Sequence, residues 1–247
     1  MPHMKGHRSG GRKPASRTSA IFPDYPPLRH GSYRARIVAA GVSPAKDVKL
    51  NIVRSLENTH PREFYDRSTP RVARDLLGSF LCRRLPNGEI LTGRIVETEA
   101  YRDNEPACHA SRGKTPRCEV MFGPAGIAYV YFIYGSYHCL NVVTEREGKG
   151  CAVLIRAVEG EGTNGPGKLC RAWEITKTHN GTDFTDPESE LWICAGSEKL
   201  RPSQIGISSR IGISSAQELQ WRFFVKDHPS VSGPKSYNRP VFAKQTR

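Results

Sequence analysis

Long apolar runs, paired cysteines and acidic charge are what this 247-residue sequence has least of. No stretch approaches the roughly 18 consecutive apolar residues of a membrane-spanning helix. The apolar segment Ile37–Val42 is too short, and sits too far in, to serve as the core of a signal peptide. The 7 cysteines include no C-x-x-C pair, which argues against a zinc ribbon. Their odd number argues against a disulfide framework, so reduced thiols in an intracellular protein are expected. Walker phosphate loops, G-x-S-x-G nucleophile elbows and zinc-deaminase signatures are absent as well. Acidic residues number 24 against 37 Lys+Arg, a net charge of +13. That excess favours a polyanionic partner such as nucleic acid or an anionic surface.

The basic charge is unevenly placed. Residues 1–60 hold 11 Lys+Arg and 3 Asp+Glu, whereas residues 61–247 hold 26 and 21. The first 60 also carry Gly10 to Pro14 (GGRKP) and Tyr25-Pro26-Pro27, with few apolar periodicities. Such a composition buries too little surface to order itself, so a disordered basic tail is expected over 1–60. Attraction to nucleic acid or nuclear import would suit it; an organelle transit peptide is the other reading, since the first acidic residue is Asp24.

A single folded domain is expected over 61–235, with a short tail over 236–247. Ser68-Thr69-Pro70 supplies a helix start, with a hydroxyl cap and Pro in the first turn. Val72, Ala73, Leu76 and Leu77 follow on one face and Gly78 ends the segment. Phe80–Arg84 and Ile90–Glu97 read as strands joined at Pro86-Asn87-Gly88. Ala128–Ile133, Cys139–Val143 and Cys151–Val158 read as three more, and a helix is expected over Lys168–Thr176. The class is α+β, a largely antiparallel sheet with surrounding helices. The tandem hexapeptides Gln204–Ser209 (QIGISS) and Arg210–Ser215 (RIGISS) fit no solenoid repeat.

Several segments carry candidate chemistry. Strand alternation places Ile95, Glu97 and Glu99 on one side and Val96 and Thr98 on the other. A carboxylate at the end of an apolar strand suits acid–base work. A pair of them also suits sugar hydrolysis, and two exposed edge-strand glutamates are the ordinary alternative. In Tyr129–Tyr137 (YVYFIYGSY), Tyr129 and Tyr131 share a face and Tyr134 begins a turn. Aromatic platforms and wedges hold and extrude nucleobases; cross-strand packing is the ordinary alternative. His109 lies in a polar, basic loop whose Arg112, Lys114 and Arg117 suit phosphates. Gly165-Pro166-Gly167-Lys168-Leu169 opens a helix to which a phosphate would fit, or is a plain turn.

Taken together these segments resemble the alkyladenine (3-methyladenine) DNA glycosylases of the alkyl-purine type. The likeness runs from Phe64 to about Gly233. It is carried by Arg74–Gly78 (RDLLG), Gly93–Tyr101 (GRIVETEAY), His109 to Met121, Tyr129 to Asn141 and Gly165–Leu169 (GPGKL). The resemblance implies a monomeric α+β domain with a curved sheet, no metal and no cofactor, acting on double-stranded DNA that contains damaged purines. Membrane association is not implied, and the nucleus is the expected compartment. By the same resemblance Glu99 is the general base that activates water and Arg156 orients that water, with the Ile211 carbonyl a third contact. Tyr101, His109 and Tyr131 would sandwich the flipped base, Asn141 would disfavour guanine, and Tyr134 would fill the gap in the duplex. Lys168, Arg112 and Arg117 would contact DNA. The implied reaction is hydrolysis of the N-glycosidic bond of alkylated or deaminated purines, without strand cleavage.

Two departures stand out. Only eight residues separate Arg156 from Gly165, where the family carries a longer connection with helical structure. Its loss would open space beside the site, and a damage-binding protein impaired in cleavage is the resulting alternative. The hexapeptide duplication makes Ile205 a rival to Ile211.

Overall fold

The computed structural model describes residues 58–133, 135–196 and 199–234. Tyr134, the tail over 236–247 and all of the basic tail except 58–60 lie outside the described residues. Those three residues already belong to the fold, because Thr59 bridges Cys194 at a sheet edge. No described helix is long and apolar enough to cross a membrane.

A curved antiparallel sheet of eight strands forms the frame. The strands are β1 (Phe80–Arg84), β2 (Ile90–Tyr101), β3 (Ala128–Ile133), β4 (Tyr137–Val143), β5 (Ala152–Val158), β6 (Leu191–Cys194), β7 (Ile205–Ser208) and β8 (Arg222–Val225). Their main order is β3-β4-β5-β2-β1-β6, while β8 pairs with both β2 and β7. The expected hairpin joins β1 to β2, and β2 runs on to Tyr101, past the expected end at Glu97. Its first half pairs with β1 and its second half lies between β5 and β8. Strands β6 to β8 escaped the sequence reading: each is only four residues long, and β6 and β8 pair with β1 and β2, more than a hundred residues away.

Among the described residues three short α-helices accompany the sheet: α1 (Arg62–Tyr65), α2 (Thr69–Asp75) and α3 (Pro166–Ala172). The helix expected over Lys168–Thr176 thus begins at Pro166 and stops early. Helix α2 starts where expected, but Ser68 makes no capping bond with its side chain. Glu145 supplies that acceptor instead, taking hydrogen bonds from the Thr69 N–H (3.1 Å) and hydroxyl (2.6 Å). Val72 and Ala73 of α2, Leu76 and Leu77 just after it, and Leu169 and Cys170 of α3 pack into the main core with Ile95, Ala100, Leu140, Val153 and Ile155 of the sheet. A smaller cluster of Tyr129, Val143 and Ala152 with Cys108, Cys118 and Met121 includes the strand neighbours that alternation turns the other way. All 7 cysteines are buried and free.

The register of β2 departs from simple alternation at one place. Irregularities between Ile95 and Thr98 leave Val96 of β2 and Arg156 of β5 without cross-strand partners. Ile95 therefore lies in the core with Ala100, not on the side of Glu97 and Glu99. Such bulges re-aim side chains next to functional sites. Here the unpaired Arg156 reaches both glutamates.

Candidate active site

Sheet register assembles the floor of the site. Tyr129 is paired with Asn141, Asn141 with Leu154, and Leu154 with Glu99, so these four form one row across β3, β4, β5 and β2. The next positions on the same face put Tyr131 and Cys139 to one side of that row and Tyr101 and Ala152 to the other. Strands β2 and β3 are separated by two others and so lie about 14 Å apart by ordinary strand spacing, with Tyr101 and Tyr131 further offset along them on opposite sides of the row. A cavity of about 530 Å³ opens over this floor, lined by all of these residues except Glu99, which is buried behind it. The segments 106–109, 166–167 and 211–215 contribute its rim.

Glu99 is fully buried and its carboxylate accepts three hydrogen bonds. The Tyr101 hydroxyl (2.8 Å) and Arg156 Nη1 (3.2 Å) donate to Oε2, and the Ile211 N–H (2.7 Å) donates to Oε1. A carboxylate offers about four acceptor positions, so one is left for a further donor such as water. Burial and the adjacent Glu99 hold the Tyr101 phenol well above its ordinary pKa, so it stays a donor.

Arg156 couples the two glutamates. Its Nε donates to Glu97 Oε1 (3.0 Å) and its Nη2 to Ser232 Oγ (3.2 Å). Burial opposes its charge, but Glu99 and Glu97 outweigh that and push its pKa upward. Glu97, also fully buried, takes bonds from Arg222 Nε (2.7 Å) and the Ser232 N–H (2.7 Å) as well. Glu99 is enclosed to the same degree, but all three of its donors line the cavity, whereas Arg222 and Ser232 do not, so Glu97 anchors its neighbours rather than meeting substrate. The paired-carboxylate reading of Glu97 and Glu99 as a sugar-hydrolysing couple fails on this ground.

One wall of the cavity is aromatic. The His109 and Tyr131 rings meet edge to face at 4.5 Å, and His109 Nδ1 lies 2.9 Å from the Tyr129 hydroxyl. Burial, with Arg117 nearby, lowers the His109 pKa, which favours a neutral ring at pH 7. Asn141 lines the cavity while its Nδ2 donates to the Tyr129 carbonyl at 3.0 Å. Arg117 lies outside this wall, its guanidinium 5.9 Å from the Tyr131 ring centroid. Arg112 is exposed in the same loop. Lys168, on α3, reaches Asn164 Oδ1 at 3.2 Å and does not line the cavity. Ile133 and Tyr137, on either side of Tyr134, both do.

The two hexapeptides separate here. Ile205 belongs to β7, whereas Ile211 lies at the cavity and donates its N–H to Glu99. The short connection after Arg156 closes locally: the Thr163 hydroxyl donates to the carbonyls of Val158 (2.7 Å) and Gly160 (2.8 Å). Arg156 keeps both of its carboxylate partners beside it. The sequence reading missed Arg222, Ser232 and the buried pair Glu105–Arg210. Arg210 alone left a trace, as the one position at which the hexapeptides differ. Among the described residues, no group of three His, Cys, Asp or Glu side chains is arranged to hold a metal ion.

Comparison with known proteins adds an independent line. The family model described as Methylpurine-DNA glycosylase (MPG) matches residues 63–163 and 159–229. A protein of Herpetosiphon aurantiacus is 44% identical over 199 residues, covering 72% of this chain and 90% of the relative. One of Methanocella arvoryzae is 48% identical over 194 residues (70% and 94%), and one of Myxococcus xanthus 45% over 197 (74% and 100%). All three are provisionally named 3-methyladenine DNA glycosylases. The 197-residue alignment is longer than 74% of a 247-residue chain, so that relative carries residues this chain lacks. The family match breaks at 159–163, in the short connection after Arg156.

Proposed function

The chain belongs to the methylpurine-DNA glycosylase family and is a DNA glycosylase, and from that premise we propose that it releases damaged purines from duplex DNA by Glu99-activated attack of water. The substrates are alkylated or deaminated purines: 3-methyladenine, 7-methylguanine, hypoxanthine and ethenoadenine. The observation that carries this reading is the Glu99 carboxylate, buried just behind an aromatic cavity and held by three donors that all line it, with one acceptor position to spare.

A base inside a duplex cannot reach such a floor, so the nucleotide turns out of the stack first, at a cost of a few kcal/mol. His109 and Tyr131 on one side and Tyr101 on the other receive the flat purine. A cationic base such as 3-methyladenine gains about 0.5–2 kcal/mol from aromatic faces. Glu99 takes a proton from water as the oxygen attacks C1′, and the purine departs with the electrons of the N-glycosidic bond. Arg156, tied to Glu97, keeps the carboxylate oriented. Tyr134 fills the vacated place in the duplex, and Arg112, Arg117 and Lys168 meet phosphates. Asn141 disfavours guanine through its 2-amino group. The protein acts as a monomer, and a nuclear destination is read from the basic composition of residues 1–60.

The test is single-turnover excision from duplexes carrying one hypoxanthine or one 7-methylguanine, read by alkaline cleavage at the abasic site. Release of both bases, with no protein–DNA adduct trapped by borohydride, is expected. An adduct would mean an amine nucleophile and lyase chemistry, and lack of release from either duplex would reject the assignment.

A further inference from the structure

The hexapeptide copies differ only at their first residue, Gln204 against Arg210, and the structure gives that difference a purpose. Gln204 is exposed and its side chain accepts from the Arg201 N–H at 2.8 Å. Arg210 is buried and grips Glu105 with both ends of its fork, Nη1 to Oε1 at 2.6 Å and Nη2 to Oε2 at 2.9 Å. Its Nη1 also donates to the Ala100 carbonyl (2.9 Å), the residue between Glu99 and Tyr101. The guanidinium lies 4.6 Å from the centroid of the Tyr101 ring. Glu105 in turn accepts from the Ala107 N–H (2.8 Å), on the 106–109 rim of the cavity. One ion pair thus joins the end of β2, the 106–109 segment and the 210–215 loop.

The residue after Arg210 is Ile211, whose N–H meets Glu99. We infer that Glu105 and Arg210 are positioning residues for the reaction: their buried pair pins the 210–215 loop to β2, so that the Ile211 amide and the Tyr101 ring are fixed against the Glu99 carboxylate. This rests on the function proposed above and adds two residues to it. Neither touches the substrate; both act through Glu99 and Tyr101. A bidentate Arg–carboxylate pair fixes direction as well as distance, which a single hydrogen bond does not. Loss of Glu105 would free Arg210, and with it the amide beside it. Displacement of a reacting group by about 1 Å costs up to a hundredfold in rate.

The experiment compares the unsubstituted chain with Glu105→Gln and Arg210→Lys, two changes that preserve volume or charge while breaking the fork. Three quantities are read: the single-turnover rate of hypoxanthine release, the Kd for the lesion duplex, and amide hydrogen exchange. The expected result is a rate lower by about tenfold or more, with Kd within about threefold. Exchange should quicken more over 211–215 than over 205–208, the first copy serving as internal reference for any general loss of stability. A normal rate in both variants would overturn the inference, and so would unchanged exchange over 211–215. Equal quickening of exchange through both copies would overturn it too, by marking a pair needed only for stability. Failure of the unsubstituted chain to release base would instead overturn the function itself, so the two failures are told apart by that control.

Discussion

Two copies of one hexapeptide stand six residues apart in this chain and do opposite things. The first forms β7, pairing with β8 through Ile205↔Val225 and Ser208↔Arg222. The second forms no strand and lies at the rim of the cavity. Even the shared glycine is required for different reasons. A Cβ on Gly206 would come within 2.3 Å of the Phe224 ring, so there glycine allows close packing. Gly212 has open space around it but a φ of +79°, so there glycine allows a left-handed turn. Local propensity is the same in both copies. Context decides: Gln204 leaves its copy free to join β8, and Arg210 draws its copy onto Glu105.

Several measurements would break or sharpen that contrast. The largest expected effect is Arg210→Gln, which leaves Glu105 buried without its cation. A loss of about 3–5 kcal/mol in urea unfolding is expected, against about 0.5 kcal/mol for Gln204→Ala. Comparable losses would mean that the copies are equivalent. Gly206→Ala comes next: forcing a methyl group against Phe224 should cost about 1–3 kcal/mol of stability. Gly212→Ala should cost about 1–2 kcal/mol through its backbone conformation. Its rate of base release should fall, whereas Gly206→Ala should leave the rate of its folded fraction unchanged. The smallest effect belongs to Gln204→Arg, which makes the copies identical in sequence. At this exposed position the new arginine should stay in solvent; stability should fall by no more than the ~0.5 kcal/mol of Gln204→Ala, since arginine cannot accept from the Arg201 N–H, and the rate should be unaltered.

The sequence was informative where contacts are local. The β1–β2 hairpin and the start of α2 follow from turn chemistry and periodicity within a dozen residues. Tyr129 and Tyr131 were placed on one strand face by alternation alone, and the structure puts Tyr131 beside His109. Ile95 shows where alternation stops: a bulge at Val96 moves it into the core, and nothing in the local pattern marks a bulge. Glu97 was legible as a residue but not as a buried anchor, because its donors Arg222 and Ser232 lie more than a hundred residues away. The ion pair Glu105–Arg210 was hidden for the same reason. The family resemblance, in contrast, marked Arg156, Tyr101, His109, Tyr131 and Asn141, which line one cavity, and Glu99, which lies buried beside it and takes hydrogen bonds from Tyr101, Arg156 and Ile211. The short connection after Arg156 read as damage to that cavity, yet Arg156 keeps its hold on both glutamates because the bulge and Glu97 position it from beneath.

The most direct test of the account is Glu99→Gln in a single-turnover assay on a hypoxanthine duplex, with binding measured alongside. The variant keeps the size of the side chain and removes the base. The account predicts that hypoxanthine release disappears while affinity for the lesion duplex is retained. Base release at the unsubstituted rate would contradict it, and equal loss of binding and release would make Glu99 a structural residue rather than the group that activates water.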